Sequence, residues 1–244
     1  MQAVVLAGGL GTRLRPLTDV IPKPMVPVLG IPYLEYQIRL LRSQGIADVL
    51  LLTAYLADSI EEYFSDGQRY GLSIRYSREP EPLGTGGALR HAMDLLEDAF
   101  LVIYGDSYLP IDYRLVLHRL RTCPPAAAVV VVYDNRNADT AVPNNIALGQ
   151  DGQVVRYDKR QGAATTALSH VEAGVLALRR SVVEMVPPGH VVSLEQEVFP
   201  ELIQRGALMA YETCQRFYDI GTSDRLTVFE DYLRRAHHPD ALSN

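Results

Sequence analysis

Leu6-Ala7-Gly8-Gly9-Leu10-Gly11-Thr12-Arg13-Leu14-Arg15-Pro16 directly follows an apolar run, residues 3–7, that is short and continuous enough to be a buried strand. Gly8, Gly9 and Gly11 let the backbone pass close to a ligand and turn successive N–H groups toward it, which makes an anion cradle. Glycines alone would equally build an ordinary strand-to-helix turn. Arg13 tilts the balance, because a guanidinium beside such a loop can fork onto phosphate oxygens. No Gly-Lys-Ser/Thr follows at Walker A spacing, and the third glycine of a dinucleotide fingerprint is missing. A nicotinamide-dependent oxidoreductase is disfavoured for that reason.

Outward from this loop the first half alternates apolar runs with amphipathic ones, the pattern of βαβ units and a parallel sheet. Strands are expected at 3–7, 49–53, 73–76, 100–104 and 128–133, and helices at 33–44, 57–64, 87–95 and 114–120. Beyond residue 134 short strands at 146–148, 154–157, 171–178 and 208–212 are separated by turn signals, which predicts a mixed sheet with a small antiparallel flap. A helix from about 223 to 236 closes the chain. One domain is expected, with one half over about 1–134 and a second over about 135–222. Ligands of such open sheets lie beyond the carboxyl ends of the strands, so the loops there carry the candidate chemistry.

In Pro22-Lys23-Pro24 the flanking prolines are expected to hold Lys23 extended and to aim its ammonium at the anion of the first loop. Glu81-Pro82-Leu83-Gly84-Thr85-Gly86-Gly87-Ala88-Leu89 opens a helix whose N-terminus favours negative charge, and its glycines would let a flat base lie against backbone. Tyr104-Gly105-Asp106 ends the fourth strand and places a carboxylate at the crevice, a natural ligand for magnesium. Phe217-Tyr218-Asp219-Ile220-Gly221 offers a second carboxylate far downstream, which could instead serve a turn or a helix N-terminus. Lys159 ends another strand as an isolated cation.

The composition sets the frame. With 23 Lys and Arg against 29 Asp and Glu the net charge is −6, which argues against nucleic acid or an anionic membrane as partner. Hydrophobic residues at 48% and charged ones at 21% suit a globular chain rather than a disordered one. No apolar stretch has the length of a membrane span, and the start has no signal-peptide anatomy. Two distant cysteines build neither a disulfide framework nor a zinc site, so a cytoplasmic enzyme-like domain is expected.

Taken together, the 6–16 loop with Pro22-Lys23-Pro24-Met25-Val26-Pro27-Val28, then the Gly84 and Asp106 loops, Tyr157-Asp158-Lys159, Glu195 with its neighbours and the Asp219 segment, in that order, resemble the sugar-1-phosphate nucleotidyltransferases. The 81–89 loop is most similar to the mannose- and manno-heptose-1-phosphate guanylyltransferase branch, while the short length also suits uridylyltransferases acting on N-acetylmuramate 1-phosphate or another hexose 1-phosphate. The resemblance implies an α/β, Rossmann-like, three-layer fold with a mixed, mainly parallel sheet. It implies Mg2+-dependent transfer of a nucleoside monophosphate from an NTP to a sugar 1-phosphate, with pyrophosphate released. It places Leu6, Ala7, Gly8, Gly9, Gly11, Thr12, Gly84, Thr85 and Gly86 around the nucleotide, with Arg13 and Lys23 on the triphosphate as catalytic residues. Asp106 and Asp219 would hold the metal, Lys159 the sugar phosphate, and Gly105, Glu172, Gly174 and Glu195 the sugar side, Glu195 in a sugar-side or a structural role. Glu172 stands where many relatives carry Asn, so the sugar identity stays open, as does the base. The left-handed helical domain of longer relatives has no counterpart, so acetyl transfer is not expected. A non-catalytic nucleotide-sugar-binding subunit is the rival reading, and self-association into a homo-oligomer stays open.

Overall fold

Strand β1 (Gln2–Leu6) buries both of its faces: Ala3 and Val5 join one apolar cluster and Val4 the opposite one. Such a strand belongs in mid-sheet between two helical layers. The computed structural model describes residues 1–135, 140, 142–158 and 168–237. After β1 the chain runs through β2 (Pro27–Val28), β3 (Ile31–Pro32), α1 (Tyr33–Ser43), β4 (Asp48–Thr53), α2 (Ala57–Phe64), β5 (Ser73–Arg78), α3 (Gly84–His91), β6 (Ala99–Tyr104), β7 (Ser107–Tyr108), α4 (Tyr113–Thr122) and β8 (Ala128–Asp134). It continues with β9 (Ile146–Leu148), β10 (Val154–Tyr157), β11 (His170–Arg179), α5 (Arg180–Glu184), α6 (Phe199–Gln204), β12 (Leu208–Thr213), β13 (Tyr218–Asp219) and α7 (Ser223–His237).

Among the described residues one sheet has nine strands, in the order β12–β8–β11–β6–β1–β4–β5 with the hairpin β9–β10 joined to the start of β11. β1, β4, β5 and β6 are mutually parallel, whereas β11 runs antiparallel to both β6 and β8. Helices α1, α2 and α4 cover one face through residues such as Leu34, Phe64 and Val116. Helices α3, α5 and α6 cover the other through Leu89, Val183 and Phe199. The expected three-layer, mixed, mainly parallel α/β architecture is therefore present.

Two local features differ from the sequence pattern. Helix α3 starts at Gly84 instead of residue 87 and ends at His91, followed by a separate 3-10 turn at Met93–Leu95. Its early start follows from the Gly86 and Gly87 N–H groups, which both donate to the Val192 carbonyl, at 2.8 and 3.2 Å. Lys23 is not extended: Lys23–Met25 forms a 3-10 turn behind an extended Pro22. Pro24 lies in the first turn of that helix, where its missing N–H costs nothing.

A third apolar cluster sits at one end of the sheet. There Phe229 and Leu233 of α7 pack with Tyr33, Tyr36, Val28 and Ile220. On α1 as well, the buried carboxylate of Glu35 meets α2 and the 68–70 turn. It accepts hydrogen bonds from Tyr63 Oη at 2.7 Å, Tyr70 Oη at 2.8 Å and Arg39. Burial alone would raise the Glu35 carboxyl, but the donors Tyr63, Tyr70 and Arg39 outweigh it and hold the pKa below the ordinary range. A depressed native pKa stabilises the fold above the unfolded value of about 4.3 and loses that effect as pH falls through the native value. Glu35→Gln should therefore lower the urea midpoint at pH 7, with the gap to the wild type closing below about pH 4. Parallel midpoints across the whole pH range would remove this role.

Candidate active site

The parallel pairing of β1 with β6 sets Leu6 beside Tyr104, so the loops that follow the two strands leave the sheet side by side. The Gly105 N–H donates to the Leu6 carbonyl at 3.0 Å and fixes one loop against the other. Between them opens a cavity of about 390 Å³, within the roughly 300–1,000 Å³ of small-molecule sites. Its walls include Leu6, Gly8, Gly9, Gly11, Thr12, Arg13, Lys23, Gly84, Thr85, Gly105, Asp106 and Glu195. Each of these is a residue singled out in the sequence. Ala7, Gly86, Glu172, Gly174 and Asp219 are not on the wall, and Lys159 lies outside the described residues.

Gly11 has φ +62°, and a Cβ there would meet Lys23 Cβ at 2.9 Å and Thr18 at 3.0 Å. The glycine thus serves two ends, a left-handed turn and close contact with the root of the Lys23 side chain. The Lys23 ammonium then reaches Asp106 Oδ2 in a mostly buried ion pair. Burial would raise the Asp106 carboxyl, yet Lys23, then the Ser107 hydroxyl and Arg13, hold it below its ordinary range. Arg13 is exposed and forms no ion pair among the described residues. Its guanidinium lies against Gly221, where a Cβ would be 3.1 Å from Arg13 Nη2 and 2.7 Å from Asp219 Oδ1.

Asp219 arrives through the antiparallel pair β7–β13, in which it stands opposite Ser107, the neighbour of Asp106. The Ile220 N–H donates to the Asp106 carbonyl at 3.1 Å, tying the two segments together. The Asp219 carboxylate accepts from the Gly221 N–H at 2.8 Å and from Arg225 Nη1 at 3.0 and 3.3 Å. Asp219 therefore has the turn role, and the backbone pairing sets its segment beside the turn that carries Asp106. Among the described residues no group of three carboxylate, histidine or cysteine side chains gathers to hold a cation by itself. Asp106 is on the cavity wall, and Asp219 stands beside the wall residue Gly221.

The glycines of α3 have a packing duty as well. A Cβ on Gly84 would lie 2.6 Å from the Val192 carbonyl, and one on Gly87 2.5 Å from that of His190. They let α3 dock tightly on the 190–194 segment, and Gly84 and Thr85 reach the cavity from there. Glu195 is committed to structure: it is buried and accepts from the hydroxyls of Tyr104, Thr85 (2.8 Å) and Ser193 (2.6 Å). Glu172 accepts the Tyr157 hydroxyl, and its N–H donates to Asn145 Oδ1 at 3.0 Å. Burial raises the Tyr104 hydroxyl well above its usual range, with Glu172 and Glu195 adding to it, so Tyr104 stays protonated as a donor.

The family model for nucleotidyl transferases matches residues 2–234. The chain belongs to the nucleotidyl transferase family. It is 36% identical over 239 residues to a mannose-1-phosphate guanylyltransferase of Mycobacterium tuberculosis, a match covering 96% of the chain and 63% of that protein. It is 43% identical over 124 residues to a D-glycero-alpha-D-manno-heptose 1-phosphate guanylyltransferase of Campylobacter jejuni, covering 50% of the chain and 56% of the relative. The chain thus spans less than two thirds of the length of either. Among solved structures it is similar to HddC from Yersinia pseudotuberculosis complexed with GMP-PN, with a TM-score of 0.77, 28% identity, and coverage of 95% of the chain and 99% of HddC. No described helix is long and apolar enough to cross a membrane.

Two wall or near-wall residues carry no sequence motif. Glu79, buried at the end of β5, accepts the Leu83 N–H at 2.8 Å through Oε2, while Oε1 abuts Gly8 and the carboxylate lines the cavity. Its pKa is raised, by burial, against the opposing pull of the Leu83 N–H and His91. Gln37 of α1 donates from Nε2 to the carbonyls of Tyr104 (2.8 Å) and Ser107, gripping both sides of the turn that carries Asp106. That turn also rests on Gly174, which has φ +75° and whose Cβ would come within 2.4 Å of Ser107 Oγ. Gly174→Ala should destabilise the protein by about 2 kcal/mol or more through left-handed strain and overpacking. The melting temperature should fall by several degrees, and an unchanged value would show the Gly174–Ser107 contact to be plastic.

Proposed function

We propose that this protein transfers a nucleoside monophosphate from an NTP to a sugar 1-phosphate, with guanine the favoured base and a mannose- or heptose-type sugar the acceptor. The observation that carries the reaction class is the gathering of Arg13, Lys23 and Asp106 on the wall of a cavity also lined by Gly8, Gly9 and Gly11, with Asp219 beside the wall residue Gly221. An oxygen of the sugar phosphate attacks the α-phosphorus, a new P–O bond forms, and the bond to the β-phosphate oxygen breaks to release pyrophosphate. The nucleophile is already an anion, so no general base is required, and no histidine lines the cavity. What remains for the protein is in-line positioning and neutralisation of charge on the leaving group.

Backbone N–H groups of the glycine loop cradle the phosphates, while Arg13 and Lys23 stabilise the developing pyrophosphate. Lys159 is assigned to the sugar phosphate. Asp106 and Asp219 fit Mg2+, which binds through one or two carboxylates with substrate oxygens and water completing its shell. When bound, it would neutralise phosphate charge between those aspartates and the triphosphate.

Glu79 supports the choice of base. A carboxylate is an acceptor only, and guanine presents two adjacent donors, N1–H and N2–H, along one edge. Uracil offers one N–H between two carbonyls, which a carboxylate repels. The names of the two guanylyltransferase relatives point the same way.

A matrix of four NTPs against mannose, heptose, glucose and N-acetylated sugar 1-phosphates, scored by pyrophosphate release, tests the proposal. Release should be fastest with GTP and a mannose or heptose 1-phosphate. Release with UTP alone would favour the uridylyl alternative, and nucleotide binding without turnover across the panel would favour a non-catalytic subunit. Arg13→Ala and Asp106→Ala should each lower the rate by on the order of 10²-fold or more. Glu79→Gln should reduce the kcat/KM preference for GTP over UTP by about 10²-fold. Because the Glu79 pKa is raised, GTP affinity of the wild type should fall with decreasing pH before other carboxylates titrate, and the Glu79→Gln variant should lack that step.

A further inference from the structure

The end of the cavity that meets phosphate contains its own cations. Lys23 is paired with Asp106, Arg225 with Asp219, and Arg13 lies beside Gly221 with no ion pair among the described residues. Three cations thus face two carboxylates, and no third acidic, histidine or cysteine ligand joins them among the described residues. Such a group attracts a polyanion and repels a free divalent cation.

The two pairs differ in how they can respond. Arg225 comes from α7 and holds both Asp219 oxygens from one nitrogen, at 3.0 and 3.3 Å. Lys23 is fixed at its root, where its Cβ packs against Gly11, while its ammonium is a point charge on a flexible stem. Lys23 and the glycine loop line the same cavity. A rotation of the stem can therefore carry the ammonium from Asp106 to a phosphate lying on the loop.

We propose that Lys23 acts as the resident counter-ion of Asp106 in the nucleotide-free protein and is exchanged for phosphate when nucleotide binds, so that Asp106 becomes a metal ligand only with or after the nucleotide. This rests on the nucleotidyltransferase reading above. It assigns Lys23 a second duty beyond contacting the triphosphate: it keeps the carboxylate from taking up a divalent ion in advance.

The test omits sugar 1-phosphate, so no turnover contributes. Binding of Mn2+ is followed by water-proton relaxation, alone and with GTP or UTP, and nucleotide binding in EDTA is followed by calorimetry. The wild type should show no relaxation enhancement with Mn2+ alone at millimolar concentration, should bind nucleotide without metal, and should show strong enhancement once both are present. Lys23→Met should bind Mn2+ without nucleotide at least about tenfold more tightly than the wild type, as expected on removing a neighbouring like charge. The double variant Lys23→Met/Asp106→Asn should lose that gain. The wild-type arms decide the binding order even if the variants fold poorly. Equal Mn2+ uptake by the wild type with and without nucleotide would overturn the exchange, as would a folded Lys23→Met variant with wild-type affinity. No enhancement with Mn2+ and either nucleotide, and no nucleotide binding in EDTA, would overturn the nucleotidyltransferase reading itself.

Discussion

The ion pair between Lys23 and Asp106 joins residues 83 positions apart, and most of the candidate site is organised around it. It forms because β1 and β6 are neighbours in the sheet and because Gly105 lies flat across the end of β1. Gly11 then admits the Lys23 stem, and Gln37 grips the carbonyls on either side of Asp106. A half-buried ion pair held only by its own attraction would gain little over solvation. Here backbone hydrogen bonds hold the turn that carries Asp106, and close packing holds the root of the Lys23 stem, so the pair is placed before any ligand enters.

Environment gives the acidic side chains of this protein different duties. Glu35 is kept ionised by two tyrosines and an arginine far from the cavity, and its effect is on stability. Glu195 accepts from three hydroxyl donors and stiffens the wall. Glu79 spends one oxygen on the Leu83 N–H and turns the carboxylate to the cavity. Asp106 and Asp219 are balanced by cations, the arrangement in which a carboxylate can exchange partners. Composition alone would count all five as the same acidic residue. The distinction lies in who donates to each oxygen.

Much of this was legible in the sequence. Burial on both faces makes the central strands continuous apolar runs, so 3–7, 49–53 and 100–104 are visible, and topology then delivers the loops that follow them to one place. Residues in glycine-rich loops stand out for the same reason, since backbone approach restricts composition. Glu79, Gln37 and Arg225 give no such signal. Each is a polar residue in an ordinary context, and its significance comes from a contact across the fold: Arg225 with Asp219, Gln37 with the 104–107 turn. The 84–87 glycines were legible as a site of close approach, but what approaches them is chain, the Val192 and His190 carbonyls, as well as cavity. A glycine shows that something comes near without saying what.

The position of Asp219 depends on the last helix. Phe229 of α7 packs against Tyr33, Tyr36, Tyr108 and Tyr218, with ring centroids 5.0, 5.7, 5.1 and 5.9 Å away. Tyr108 and Tyr218 belong to β7 and β13, the strands that set Asp219 opposite Ser107. A two-stranded ladder of this length has little stability of its own. Its register must therefore come from the aromatic packing, with Tyr218 stacked on Tyr232 at 4.2 Å as a further contact from α7. Arg225 emerges from the same helix to meet the carboxylate it helps to place. Loosening α7 would thus displace Asp219 from its place opposite Ser107, and because Leu14 of the 6–16 loop shares the apolar cluster of Phe229 and Leu233, the disturbance would reach the glycine loop as well.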